Sequence, residues 1–155
     1  MTGRPLTAEE YRRAAARAMT ERQLLDGILG TPRNPGIALA LGWRGYHTHR
    51  SQHSPAGFPD LTLVKAGRLI FAELKTERGK TSPEQDAWLA DLEAVELLGR
   101  DHALGRSVTI VTKPVLEPLV RVYVWRPADL LDGTIARALG GDTPPPGLAL
   151  PYATR

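Results

Sequence analysis

The chain has 155 residues, 42% hydrophobic and 24% charged, which is the size and composition of one folded domain around a single core rather than of a disordered segment. It has no cysteine, which excludes thiolate chemistry, disulfides and cysteine-ligated zinc, and it has neither an apolar N-terminal leader nor 18 consecutive apolar residues; a cytoplasmic protein with no membrane span is expected. The net charge is only +3, but seven Lys or Arg lie between Arg44 and Lys80 around just three acids, Asp60, Glu73 and Glu77, so a polyanionic partner is the natural inference.

In chain order, Thr7 with Glu10 and Thr20 with Gln23 each read as a capping box, so residues 7–29 form one bent helix or two abutting ones, with Leu24, Leu25 and Ile28 as the apolar stripe. Gly30 and the run TPRNPG (31–36) end that segment, because their prolines and glycines oppose a regular element. IALAL makes a short helix or extended piece closed by Gly42, RGYHTH (44–49) alternates as a strand, and RSQHSPAGFP (50–59) is a polar loop. DLTLV and RLIFAELK flank Lys65-Ala66-Gly67-Arg68, which has the length and glycine of a hairpin turn. Ser82, Pro83 and Gln85 are the N-cap, first helical residue and capping-box partner of a helix along which Trp88, Leu92 and Val95 recur. SVTIV (107–111) and LVRVYVW (119–125) read as strands and residues 128–139 as a final helix. The Pro- and Gly-rich tail, 141–155, is expected to be mostly disordered or loosely draped on the domain. The expected organisation is one domain over 1–140 followed by that tail.

Pairing Val64 with Leu69, or Lys65 with Arg68 across a tighter turn, makes opposed residue numbers sum to 133 and sets Asp60 opposite Glu73. Opposed residues share a face with Cβ atoms roughly 5 Å apart, where like charges destabilise a sheet. Lys75, two residues past Glu73, falls on that same face by the strand period. The group reads either as a surface salt-bridge cluster or as a hard-oxygen site suited to Mg²⁺ or Mn²⁺, and a one-residue slip in register would disperse it.

Pro59-Asp60, twelve intervening residues and then Glu73-Leu74-Lys75 resemble the PD-(D/E)xK nuclease motif. AGFPDLTLV, LIFAELKTERGKTSPEQDAWL and VYVWRPADL are similar, more narrowly, to the VRR-NUC branch, the virus-type replication and repair nucleases; the likeness runs from about residue 20 to 132. It implies an α/β, restriction endonuclease-like fold with a mixed central sheet flanked by helices. It implies that Asp60, Glu73 and the backbone carbonyl of Leu74 ligate Mg²⁺ or Mn²⁺, and that Lys75 orients or deprotonates the attacking water. Glu21 best fits the additional acid that the family carries on its N-terminal helix, ahead of Glu10, although a first-turn acid is also what the helix dipole favours. Gln85 matches the family's helix glutamine and faces the site, or serves the capping box with Ser82, or both.

The activity implied is metal-dependent hydrolysis of DNA phosphodiesters, structure-selective on branched or Holliday-junction DNA, by a possible homodimer in phage or bacterial replication, recombination or repair. The chain departs from the family in about 20 residues, Gly99 to Pro118, that intervene between the Ser82 helix and the VYVWRP strand. Arg50, Arg78 and Lys80, on loops flanking the site, could hold DNA backbone phosphates or be solvated surface charges. His47, His49 and His53 have a spacing that could bind a transition metal, but without a further acid at motif spacing they fit the DNA-facing surface or solvent better. Trp88 and Trp125 read as core residues rather than base-stacking platforms. The alternative to an enzyme is a non-catalytic nucleic-acid-binding module or nuclease-fold adaptor, for which opposed acids on a basic surface have no evident use.

Overall fold

The computed structural model describes residues 4–48, 55–102 and 120–140, with the side chains of 96–102 excepted. His49, Arg50, His53, the SVTIV run and the 141–155 tail lie outside these residues. The elements are α1 (Ala8–Ala18), α2 (Glu21–Leu29), β1 (Gly30–Thr31), β2 (Asn34–Pro35), α3 (Ile37–Ala40), β3 (Arg44–His47), β4 (Leu61–Lys65), β5 (Arg68–Leu74), α4 (Pro83–His102), β6 (Val120–Trp125), α5 (Pro127–Leu131) and α6 (Thr134–Ala138).

The N-terminal segment is two helices because each has a complete capping box. The Glu10 carboxylate accepts the Thr7 N–H at 2.8 Å while the Glu10 N–H donates to the Thr7 hydroxyl at 3.2 Å, and Gln23 and Thr20 repeat both bonds at the same distances. The break falls at Met19 and Thr20, both in extended conformation. Two expectations need correction. TPRNPG is not devoid of regular structure: β1 and β2 form a minimal antiparallel ladder, Gly30 opposite Pro35 and Thr31 opposite Asn34. Residues 128–139 are not one helix, because Gly133 adopts a left-handed conformation (φ +84°) that ends α5 and starts α6. Helix α4 begins at Pro83 as expected and continues through Gly99 to His102, into the stretch read as an insertion.

The chain is α/β, with a four-stranded mixed sheet in the order β3-β4-β5-β6. Strands β4 and β5 are antiparallel with Leu61 opposite Ala72, Leu63 opposite Ile70 and Lys65 opposite Arg68, a constant sum of 133. Ala66 (φ +47°) and Gly67 (φ +78°) close the hairpin, both left-handed as a two-residue primed turn requires.

Contacts within the chain fall into two compact units. The first comprises Met1–Gly45, Leu74–Lys80 and Val124–Arg155. Its buried apolar residues include Leu24, Ile28, Ile37, Trp43, Leu74, Trp125, Ile135 and Leu139, and the Trp43 indole donates to the Leu139 carbonyl at 3.0 Å. The second comprises Tyr46–Glu73 and Thr81–Tyr123. Leu61, Leu63, Ile70 and Ala72 make one fully buried face of its hairpin. On the other face Phe58 lies edge-on to both Phe71 and Trp88, at 5.9 and 5.1 Å between ring centroids, which seats the start of α4 over the sheet. The expected apolar stripe of α4 fades along the helix, as Trp88 and Leu92 are half-buried and Val95 is 48% exposed.

Two glycines separate conformational from steric demand. Gly67 has open space around a built Cβ, whereas at Gly30 (φ +92°, ψ 178°) a Cβ would lie 2.3 Å from the Gly36 nitrogen. Gly67→Ala is expected to cost about 1 kcal/mol through its positive φ alone. Gly30→Ala combines a glycine-only backbone region with a clash and is expected to cost about 3 kcal/mol or more. Urea unfolding of both variants measures the difference; equal costs would contradict it.

Candidate functional site

The register that joins Leu61 to Ala72 brings Asp60, one residue before β4, opposite Glu73, the penultimate residue of β5. Alternation along the strands then groups Asp60, Thr62, Phe71 and Glu73 on the face that α4 covers. Asp60 is half-buried and its backbone carbonyl accepts the Thr48 N–H at 3.4 Å. Glu73 is 1% exposed, which makes it the buried charged side chain among the described residues. Ionised carboxylates are rarely taken so far from water unless other polar groups hold them.

Gln85 supplies one such group. Its side-chain amide donates to Glu73 Oε1, its own carbonyl oxygen accepts the Ser82 N–H at 2.9 Å, and its backbone N–H donates to the Ser82 hydroxyl at 3.3 Å. Both readings of Gln85 therefore hold together: one end of the amide completes the cap of α4 and the other reaches the buried acid. The loop before Asp60 is fitted to this helix start. Gly57 has φ +94°, and a Cβ there would stand 2.5 Å from the Glu84 carbonyl carbon. The Trp88 indole donates to the Ala56 carbonyl at 3.1 Å, and Pro59 is buried. Hydrogen bonding, first to Ser82, holds the exposed Glu84 carboxyl below its ordinary value.

The rest of the motif falls in the other unit. Leu74 is buried, and the Lys75 N–H donates to the Trp125 carbonyl at 3.0 Å, which prolongs the strand pairing past β5. Glu21 occupies the first turn of α2, where the helix dipole favours an acid, and its Oε1 accepts the Thr76 N–H at 3.2 Å. The second N-terminal acid, Glu10, is instead engaged with Thr7 and Arg4. Arg78 and Lys80 are exposed.

Two residues that sequence reasoning missed fasten the loop on which these cations lie. The Arg126 guanidinium donates to the Gly79 carbonyl at 2.9 Å, and the Glu77 carboxylate accepts the Ala128 N–H at 3.2 Å. The available signal was Arg126-Pro127-Ala128-Asp129, an N-terminal helix pattern with Asp129 accepting the Arg126 N–H at 2.8 Å. Burial raises the Asp129 carboxyl above its ordinary value, neighbouring Asp132 and Glu77 add to the effect, and the Arg126 N–H opposes it.

Among the described residues no group of three or more His, Cys, Asp or Glu side chains is placed to hold a metal ion. The Asp60–Glu73 pairing brings two carboxylates to one face of the hairpin, an all-oxygen pair of donors. That chemistry fits Mg²⁺ or Mn²⁺, and Mg²⁺ is commonly held by one or two carboxylates with water completing its shell. His47 is half-buried, and the histidine cluster expected with it lies in part outside the described residues. Trp125 is 1% exposed, in keeping with a core role. No family model, curated protein or solved structure matches the chain, and no helix among the described residues is long and apolar enough to cross a membrane.

The dual role of Gln85 is open to measurement. Ser82→Ala removes only the cap and is expected to cost about 1 kcal/mol. Gln85→Ala also removes a donor from a buried carboxylate and is expected to cost about 2–4 kcal/mol. Equal losses in urea unfolding would show that the Glu73 contact adds nothing.

Proposed function

We propose that this chain is a divalent-metal-dependent DNA nuclease of restriction endonuclease-like fold that hydrolyses phosphodiester bonds, with branched DNA as its substrate class and a homodimer as its working form. The observation that carries the reading is the pairing of Asp60 with a deeply buried Glu73. Two opposed acids repel, and burial raises the cost, so the arrangement weakens the sheet unless a cation lies between them. The α/β architecture and the motif order agree with the same reading.

Asp60, Glu73 and the Leu74 carbonyl would supply the oxygens that hold the ion. Gln85 keeps the Glu73 carboxylate in one orientation, which leaves less reorganisation to be done when the ion and substrate arrive. Lys75 positions the attacking water by its amine. Glu21 is engaged with the Thr76 N–H directly after the motif and acts by holding that backbone as well as by adding negative charge. When bound, Mg²⁺ or Mn²⁺ would offset the negative charge of the scissile phosphate and make a nearby water a stronger nucleophile. The water oxygen bonds to phosphorus as the bond from phosphorus to the 3′ oxygen breaks; the water gives up a proton to solvent and the 3′ oxygen takes one up, leaving 5′-phosphate and 3′-hydroxyl ends. Arg78 and Lys80 bind backbone phosphates flanking the cut, and Arg50 is assigned with them from its sequence position.

The test uses labelled linear, flapped and four-way-junction DNA with Mg²⁺, Mn²⁺ or EDTA. The wild type is expected to cut only with metal, and junction or flap DNA faster than linear. Asp60→Asn and Glu73→Gln, which preserve shape, are expected to abolish cutting, and Lys75→Ala to slow it about 100-fold or more. Full activity in either carboxylate variant sinks the assignment. Tight, salt-sensitive binding without cutting under any metal condition would identify a non-catalytic binding module instead.

A further inference from the structure

After Lys75 the chain folds back on itself. The Gly79 N–H donates to the Thr76 carbonyl at 3.0 Å, which closes a turn and returns Gly79 to the residue before it. A Cβ built on Gly79 would stand 3.2 Å from Lys75 Cβ and 3.0 Å from Thr76 Oγ1. Gly79 does not have a positive φ, so the position asks for a small residue on grounds of space and not of backbone angle. The root of the Lys75 side chain occupies the room that a side chain on Gly79 would need.

This turn is held by one stretch of chain, Trp125–Ala128. The Lys75 N–H donates to the Trp125 carbonyl at 3.0 Å, the Ala128 N–H to the Glu77 carboxylate at 3.2 Å, and the Arg126 guanidinium to the Gly79 carbonyl at 2.9 Å. The stretch is itself fixed. Trp125 and Pro127 are buried, while the Arg126 N–H donates to the Asp129 carboxylate at 2.8 Å and the Arg126 carbonyl accepts the Asp129 N–H at 3.0 Å. Lys75 to Gly79 and Trp125 to Asp129 all belong to the first unit.

The Arg126 contact differs from the other two in what it holds, because Gly79 is the residue set against Lys75 Cβ. Arg126 is half-buried, and a charged donor makes a stronger hydrogen bond than a neutral one, which suits it to keep a surface turn in place. A lysine amine ends a flexible four-carbon stem, and it serves a reacting water less well as that stem samples more rotamers. Filling the space beside Cβ limits the first of those rotations.

We infer that Arg126 is a positioning residue for Lys75: by holding the Gly79 carbonyl it keeps Gly79 against Lys75 Cβ and confines the lysine stem. Gly79 is the second member of the device, needed for its lack of a side chain. The inference rests on the nuclease reading for the task of the lysine, while the confinement itself is measurable without DNA or metal.

Lys75 is one of four lysines, so its side chain can be followed in protein carrying isotope-labelled lysine, with Lys75→Arg to assign its signals. Side-chain relaxation by nuclear magnetic resonance, in EDTA and without DNA, is expected to show Lys75 more ordered at Cγ than the exposed Lys80 in wild type. Arg126→Met removes the donor and is expected to leave Lys75 as mobile as Lys80. Arg126→Lys keeps a charged donor and is expected to retain the order, and the neutral change Gly79→Ala to shift the Lys75 signals. In single-turnover cleavage at saturating DNA, Arg126→Met and Gly79→Ala are expected to slow the reaction about tenfold or more, and Arg126→Lys to restore it. In a Lys75→Ala background Arg126→Met is expected to slow cutting no further, because the group it positions is gone. Urea unfolding checks that each variant is folded.

A Lys75 stem as mobile as Lys80 in wild type, or equally ordered in wild type and Arg126→Met, overturns the proposal, as does additive loss in the Lys75→Ala background. Should Arg126→Met not fold, Gly79→Ala decides, and unshifted Lys75 signals with full activity overturn the proposal. If wild type cuts no DNA with any metal yet the relaxation differences hold, the nuclease reading fails and the confinement of Lys75 by Arg126 stands. If wild type cuts and those differences are missing, the nuclease reading stands and the positioning role falls.

Discussion

A carboxylate withdrawn almost entirely from water at the end of a strand constrains everything placed around it. Glu73 sits where a sheet would ordinarily carry an apolar side chain, and with Asp60 in the opposed position it brings charge, burial and like-charge repulsion to one place. Taking a charged group out of water costs several kcal/mol even after relaxation, so its surroundings must return much of that in directed polar contacts. Gln85 meets part of the demand, and it can do so because its cap with Ser82 fixes its backbone and half of its amide. The N-terminus of α4 is in turn brought close by Gly57, whose missing side chain lets the approach loop touch the backbone at Glu84 and Gln85. A local capping motif, a glycine and a buried acid are one mechanical arrangement.

The loop after the motif follows a similar logic by itself. Residues 76–80 have little apolar surface to anchor them, yet the Thr76 N–H meets Glu21, the Gly79 carbonyl meets Arg126, and Glu77 caps the amide of Ala128. Backbone groups that a surface loop would leave to water are satisfied by side chains from distant parts of the sequence. Arg78 and Lys80 thus project from a fastened segment.

The hairpin was legible in the sequence because both candidate turns gave the same sum, so the register did not depend on choosing between them. The capping boxes at Thr7, Thr20 and Ser82 were legible because each needs only residues three apart. What escaped was non-local or rested on one backbone angle. Residues 128–139 read as one helix, and only the left-handed conformation of Gly133 divides them in two. The ladder of β1 and β2 depends on Gly30 and Gly36 passing within reach of each other, an approach that no hydrophobic period announces. The contacts of Glu77 and Arg126 had no local signature, because their partners lie 51 and 47 residues away. Two-carboxylate pairing was readable from register, but the burial of Glu73 was not, since strand alternation gives a face and not the depth of its cover.

The claim on which the account turns is that the opposed acids hold a cation, and binding of Mn²⁺ measured by electron paramagnetic resonance tests it without DNA or turnover. Wild type is expected to bind Mn²⁺ in competition with Mg²⁺, and Asp60→Asn and Glu73→Gln each to weaken that binding at least about tenfold, as loss of a charged ligand should. Unchanged Mn²⁺ affinity in both variants, with the fold intact, would contradict the account.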